Sequence, residues 1–320
     1  MSTADDGTTG PSGSEERAVY RSGIADTANW DGFEYRPDDI VISTPSKSGT
    51  TWMQQLVALL IFDGPDFPAP LNVMSPWLDM NTRTQEEVRA MFESQEHRRF
   101  IKTHAPLDAL PWDDRVTYLV VGRDPRDVAF SMWHHIENLD LPAVRDLVVE
   151  VRGEDYLASL PQTEVPEELD AWFRFEMDRD RGDSHTGVHL AWVLHHLETG
   201  WERRHLDNVA LFHFADLKRD LVGEIVRLGE ILDLPVSRRR AEELAEAASL
   251  SRMRERAQDS APIGELDLWK DPERFFRSGG KQEWRDLLTP EDEAHYDERV
   301  AELVDPELAD WVHHGWRGSS

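Results

Sequence analysis

One stretch constrains this chain more than any other. From Asp38 it reads DDIVISTPSKSGTTWMQQLVALLIFDG. Ile40 to Thr44 is a short β-branched apolar run, the pattern of a strand buried on both faces of a parallel sheet. Pro45 to Gly49 breaks it. Thr51 to Phe62 then carries Trp52, Met53, Leu56, Leu59 and Leu60 at helical spacing. Strand, tight polar loop and helix form the opening of a phosphate-binding βα unit, because the first N–H groups of the helix converge on an anion. Ser48, Thr50 and Thr51 add hydroxyl donors, Lys47 a point charge, and Gly49 close backbone approach. The loop is not a Walker A motif, which needs G-x-x-x-x-G-K-[ST]. Here Lys47 precedes the glycine and no early glycine is present. The competing reading is an ordinary Ser/Thr-rich helix cap.

Further strands are predicted at Arg99 to Thr103, Val116 to Val121 and Val209 to Phe214. Helices are predicted in RDVAFSMWHHI, in WVLHHLETGWERRH, from Leu217 to Leu232, from Arg238 to Ala247 and after Thr289-Pro290. Strands alternating with helices indicate a mostly parallel, doubly wound sheet. Residues 137 to 186 are charged and broken by Pro and Gly. They read as short helical pieces, either a surface insertion or a lid over an acceptor pocket. Residues 1–17 lack core-forming side chains and read as a disordered tail, with a single domain following over 18–320.

Charge and composition exclude several functions. The 320 residues carry 35 Lys and Arg against 63 Asp and Glu, a formal net charge of −28. General nucleic-acid binding through a basic face is not expected. Any anionic ligand must meet a local cluster of cations and backbone N–H groups. There is no cysteine, which excludes disulfides, thiolate catalysis and Cys-ligated metals. No apolar run reaches the roughly 18 residues of a membrane span, and the start of the chain lacks a secretory signal pattern. The default location is the cytoplasm. Lysine occurs only at 47, 102, 218, 270 and 281, so each position carries weight.

Three more segments hold residues suited to anion chemistry. Gly122-Arg123-Asp124-Pro125 follows a predicted strand, at the edge where open α/β sheets bind ligands. Ser131 lies eight residues on, about two helical turns in, and an Arg with a hydroxyl can converge on one phosphate. Arg123 paired with an Asp is an equally good structural reading. FFRSGGKQEW offers Arg277, Gly279, Gly280 and Lys281 in a loop before Trp284; by itself it reads equally well as a simple turn. Lys102-Thr103-His104 ends another strand, with Lys102 and His104 on one face. A histidine there can accept a proton near neutral pH. His185, His189, His195 and His196 are spaced in a way that admits zinc, but no His-Glu-x-x-His pattern occurs. They read as packed or capping helix residues, as do His134 and His135, and no metal site is expected.

Taken together, these blocks resemble the cytosolic-type sulfotransferases that use 3′-phosphoadenosine 5′-phosphosulfate (PAPS). PSKSGTTW resembles the family's 5′-phosphosulfate loop, VVGRDPRDVAFS its 3′-phosphate strand and helix, and FFRSGGKQEW its C-terminal R-K-G-x-x-G-x-W segment. The intervening KTH matches the family's catalytic histidine. RRFIKTHAPLD, VGRDPRD, RRHLDNVALFHFAD and IFDGPDFPAPL look closer still to mycobacterial glycolipid sulfotransferases. The likeness covers about residues 20 to 316.

The resemblance implies a P-loop-like, three-layer α/β fold with helices on both faces of the central sheet. It implies His104 as general base, Lys47 at the leaving oxygen and Lys102 at the sulfuryl oxygens. It implies Ser48, Gly49, Thr50 and Thr51 around the 5′-phosphate, and Trp52 packed on adenine. Arg123, Ser131, Arg277 and Gly279 would hold the 3′-phosphate, with Ser249 near the adenine edge. Pro76, Trp77, Leu78 and Met80 fall where the family's acceptor-facing loop lies; the alternative is that they close the core. Three positions depart from the family pattern: Ser278 replaces a Lys, Phe214 a Tyr and Ala248 a Thr, all on the nucleotide side.

The expected activity is transfer of a sulfuryl group from PAPS to a hydroxyl of a glycolipid or small apolar alcohol, with adenosine 3′,5′-bisphosphate as product and no metal. The alternatives are a P-loop kinase-like enzyme, against which the loop order argues, and a non-catalytic module that binds the bisphosphate.

Overall fold

The computed structural model describes residues 17–161, 164–183, 187–255, 268–271, 274 and 282–316. Its centre is a sheet of four parallel strands: β1 (Ile40–Ser43), β2 (Phe100–Thr103), β3 (Thr117–Gly122) and β4 (Val209–His213). Their order across the sheet is β2-β1-β3-β4. Ile40 lies opposite Phe100 on one side and Thr117 on the other, and Tyr118 opposite Val209. The strand residues are buried apart from Thr117, whose side is partly open, as expected of a sheet covered on both faces.

The period of two sorts these strands into two cores. Ile40, Ile42, Phe100, Leu119, Val121 and Phe212 face one side. There they pack against α1 (Thr50–Ile61), through Met53, Leu56 and Val57. Val41, Ile101, Tyr118, Val120, Val209 and Leu211 face the other side. That face is covered by α2 (Pro125–Asn138), α4 (Leu169–Asp178) and α5 (Leu190–Glu202). Between α2 and α4 lies α3 (Leu141–Arg152). The first face continues into α6 (Leu221–Ile231) and α7 (Arg238–Ala247), and the second into α8 (Pro290–Leu303) and α9 (Pro306–His314). The result is three layers, helix–sheet–helix.

At the strand starts, Arg99 and Asp39 form a buried bidentate ion pair, Nε to Oδ1 at 2.9 Å and Nη2 to Oδ2 at 2.5 Å. Both side chains are 1% exposed. This locks the register of β1 and β2 at the end opposite the site.

One helix boundary differs from the sequence expectation. The helix anticipated over Leu217 to Leu232 is divided at Asp220. A short helix runs Phe214–Arg219 and α6 begins at Leu221. Asp220 adopts φ −144° and its carboxylate accepts from Gly223 N, so it caps the second helix instead of continuing the first.

The stretch anticipated as an insertion or lid contains α3, a short helix Glu154–Ala158 and α4. It touches the start of the chain. Arg152 pairs with Asp26 at 2.7 Å, and Tyr156 Oη donates to the Ser22 carbonyl at 2.8 Å. Among the described residues no helix is long and apolar enough to cross a membrane. Residues 1–16 lie outside those described, while Arg17 donates to the Ala109 carbonyl.

Candidate active site

The strand order fixes where a ligand can sit. β1 connects outward to β2 on one side, whereas β3 and β4 extend to the other. The sheet therefore has its switch point between β1 and β3, and the crevice lies beyond the strand C-termini. The loop 44–49 leaves β1, His104 follows β2, Arg123 follows β3 and Phe214 follows β4. All four strand ends contribute to one region.

The β1–α1 loop is bent into a cradle by two positive φ angles, +66° at Lys47 and +106° at Gly49. A Cβ at Gly49 would stand 3.0 Å from Phe214 Cδ2, so backbone conformation and space both demand glycine. Gly49 is the N-cap of α1 and supplies no side-chain cap, which leaves the first N–H groups of the helix for a ligand. Ser48 is fully buried, and its hydroxyl makes no hydrogen bond among the described residues. Thr50 and Thr44 share a short hydroxyl–hydroxyl contact of 2.5 Å. Thr51 is buried in the first turn.

Arg123 braces this loop. Its Nη1 donates to the Lys47 carbonyl at 2.9 Å, and its guanidinium lies 4.5 Å from the Phe214 ring centre. Arg123 is 8% exposed, and its Nε, which makes no hydrogen bond among the described residues, stands 3.9 Å from Asp127 Oδ2, the Arg–Asp pairing that the sequence also allowed. Phe214 in turn meets Trp52 edge-on at 5.5 Å, and the Trp52 indole N–H donates to the Ala248 carbonyl at 3.0 Å. Ser249 follows directly, its hydroxyl 3.1 Å from that of Ser251. Ser131 lies two turns along α2, half-buried. Arg277, Ser278, Gly279 and Lys281 lie outside the described residues. Trp284, just beyond them, donates to Asp127 of α2 at 3.1 Å and takes the Arg126 guanidinium on its face at 3.9 Å.

On the other side of the crevice, His104 has its Nδ1 2.8 Å from the Thr44 carbonyl. Nδ1 therefore carries the proton, and Nε2 keeps its lone pair. Burial, reinforced by the Lys102 charge, holds this imidazole well below its ordinary pKa, so it is neutral at physiological pH. Trp77 meets the His104 ring edge-on at 4.7 Å and offers its face to Lys102 Nζ at 4.5 Å. Burial lowers the Lys102 pKa to about 8, although Asp79 opposes the shift. Burial pushes Asp79 up to about 6, and the Thr103 hydroxyl donates to it at 2.9 Å. Lys47 is lowered to about 7 by burial and by the Arg123 and Lys102 charges.

A small cleft opens beside His104, lined by Tyr20, Ala25, Ser46, Trp77, Asp79 and Trp192 among others. Of the four residues expected on the acceptor loop, Trp77 lines this cleft, whereas Met80 is buried and is not among the lining residues. Leu78 is fully buried in the core instead, and Pro76 is buried and gives its carbonyl to Lys102 N at 3.3 Å.

The sequence reading missed Tyr20, Trp192 and His135. Tyr20 and Trp192 meet edge-on at 4.8 Å in the cleft wall. His135, read only as a helix residue, has Nδ1 3.1 Å from Lys47 Nζ. The signal for it was present: Asp127, Ser131 and His135 recur every four residues, so α2 presents them on one face. His189 does cap α5, accepting from Trp192 N at 3.3 Å.

A parallel α/β sheet that places an anion cradle, enclosed cations and a neutral imidazole at its strand ends defines a P-loop-like group-transfer protein. The model of the sulfotransferase domain matches residues 37–309, and the chain belongs to that family. It is 46% identical over 314 residues to a glycolipid sulfotransferase of Mycobacterium bovis, covering 95% of this chain and 96% of that one. Mouse sulfotransferase 1B1 is 24% identical over 279 residues, 82% of each chain. Among solved structures, retinol dehydratase in complex with androsterone and the inactive cofactor PAP has a TM-score of 0.66 at 21% identity, covering 88% of this chain and 84% of that one. A mouse sulfotransferase complexed with PAP has a TM-score of 0.65 at 20% identity, covering 89% and 92%. These two likenesses are of fold.

Proposed function

We propose that this sulfotransferase moves the sulfuryl group of PAPS onto a hydroxyl of a glycolipid or a small apolar alcohol, leaving adenosine 3′,5′-bisphosphate. The observation that carries the reading is the pairing, across one crevice, of the Lys47–Thr51 cradle with a His104 ring whose Nε2 lone pair is available. The donor set fits such a nucleotide. The buried Ser48 hydroxyl, which has no hydrogen-bond partner among the described residues, and a cradle that a Cβ at residue 49 would obstruct are groups prepared for an anion.

When bound, PAPS supplies an activated sulfuryl group on a phosphosulfate anhydride. The chain's own residues do the rest. Ser48, Gly49, Thr50 and Thr51 hold the 5′-phosphate end, and Arg123 and Ser131 the 3′-phosphate with Arg277 and Gly279. Trp52 and Phe214 pack near the base, with Ser249 at its edge and Ser278 by the 3′-phosphate. Lys47 and Lys102 place positive charge where the transferring group's oxygens lie. His104 Nε2 removes the proton of the acceptor hydroxyl, and its proton-bearing Nδ1 is oriented by the Thr44 carbonyl.

The acceptor reading rests on two supports. The mycobacterial relatives are named for glycolipids, and the cleft is lined by the aromatic residues Tyr20, Trp77 and Trp192 beside His104. The 137–186 stretch contributes as a lid. Its contacts through Arg152 and Tyr156 to Asp26 and Ser22 tie it to the segment that lines the cleft.

Incubation of the protein with PAPS labelled in its sulfuryl group and a bacterial lipid extract tests this. A labelled lipid is expected with the wild-type protein. His104→Ala should abolish labelling while binding the bisphosphate normally. Full turnover by that variant removes the base assignment.

A further inference from the structure

Lys47 carries donor-side charge in the reading above, and the inference rests on that reading. A lysine ammonium sits on a flexible four-carbon stem, so something must aim it. Arg123 holds the Lys47 carbonyl, but that fixes only the backbone. The side chain is met by α2, where His135 Nδ1 lies 3.1 Å from Nζ.

The His135 ring is itself held in place. It meets Trp269 edge-on at 4.9 Å, and Trp269 is bridged to Leu139 one residue beyond α2. Among the described residues, the charged and titratable groups that act on this pair include Arg123, Lys102 and His104. Burial, and after it the charges of Lys47, Lys102 and His104, favour a neutral His135. A neutral ring has one lone-pair nitrogen, and the one facing an ammonium must be that nitrogen, which places the proton on Nε2.

We propose that His135 is a positioning residue for sulfuryl transfer: its Nδ1 accepts a hydrogen bond from the Lys47 ammonium, aims Nζ at the donor end of the crevice and favours its charged form.

The test uses the full chain without nucleotide. Only five lysines are present, so ¹³C-labelled lysine gives few side-chain signals, and Lys47→Arg assigns the relevant one. His135→Leu removes the acceptor, and His135→Gln keeps one. The Lys47 titration midpoint should fall by about one pH unit in His135→Leu and return most of the way in His135→Gln. In turnover, His135→Leu should lower kcat about tenfold and move the alkaline limb to lower pH, with bisphosphate affinity unchanged. An unmoved Lys47 midpoint, or a Gln variant no better than Leu, overturns the inference.

¹⁵N-histidine spectra of the unmodified protein provide a check that needs no variant. They should show His135 as the Nε2–H tautomer, and an Nδ1–H ring overturns the proposal. Absence of any PAPS turnover by the wild-type protein sinks the functional reading instead, and these spectra then decide the inference alone.

Discussion

Arg123 Nη1 donates to the Lys47 carbonyl at 2.9 Å, so the end of β3 fixes the backbone of the loop that leaves β1. The bond spans the switch point of the sheet. It ties Lys47, a non-glycine residue at φ +66°, to a guanidinium that also covers the Phe214 ring.

Arg123→Lys should therefore be a severe change although it conserves charge. Lysine has no planar fork with which to brace a carbonyl, cover a ring and still present an N–H to a ligand. Isothermal titration with adenosine 3′,5′-bisphosphate should show at least about tenfold weaker binding. Wild-type affinity in this variant would contradict the bracing role.

Gly49→Ala attacks the same loop from the other side. The added Cβ meets Phe214 at 3.0 Å at a φ of +106°, a conformation that costs a non-glycine residue about 1–2 kcal/mol. Phe214 is held between Arg123 and Trp52 and has little freedom to retreat. The variant should melt at lower temperature and lose the stabilisation that the bisphosphate gives the wild-type protein. A full ligand-induced shift in melting temperature would show that the loop can relax.

The pH profile of kcat/KM for PAPS should be governed by Lys47. Its ammonium pKa is depressed to about 7, so positive charge is present below that value and lost above it. His104, held well below the ordinary imidazole range, stays in its base form on both sides of neutrality. Activity should thus decline on the alkaline side of about pH 7, with no decline centred at the usual imidazole value. A profile that rises through pH 8 contradicts the Lys47 role.

Away from the site, the Arg99–Asp39 pair should matter for stability alone. Both side chains are 1% exposed, and removing one partner of a buried pair costs about 3–5 kcal/mol. Arg99→Ala should lower the unfolding free energy by that order in denaturant titrations and leave the bisphosphate affinity of the folded fraction unchanged. A loss below about 1 kcal/mol would mean that water or a neighbour rescues Asp39.

The βα opening was legible because strand, bend and helix each leave a local signature: β-branched residues at 40–42, Pro45 and Gly49, then an apolar stripe. The four parallel strands followed from the same logic. The division at Asp220 was not legible, because the apolar spacing on its two sides allows one continuous helix and only the carboxylate's bond to Gly223 N decides otherwise. The place of Trp77 in the cleft lining followed from the family resemblance. The cleft roles of Tyr20 and Trp192 were hidden, because they come from segments distant in sequence that meet only after the layers close. His135 lay between these cases. Its helical register with Ser131 was readable, but its partner stands on a different strand's loop.

The cleft wall formed by Tyr20, Ile24, Ala25 and Thr27 lies near the beginning of the chain. Any affinity handle or fusion joined close ahead of Tyr20 therefore starts beside the cleft proposed to take the acceptor. Assays of acceptor preference are sounder with a handle carried at the opposite terminus, or with one cleaved away well before that tyrosine.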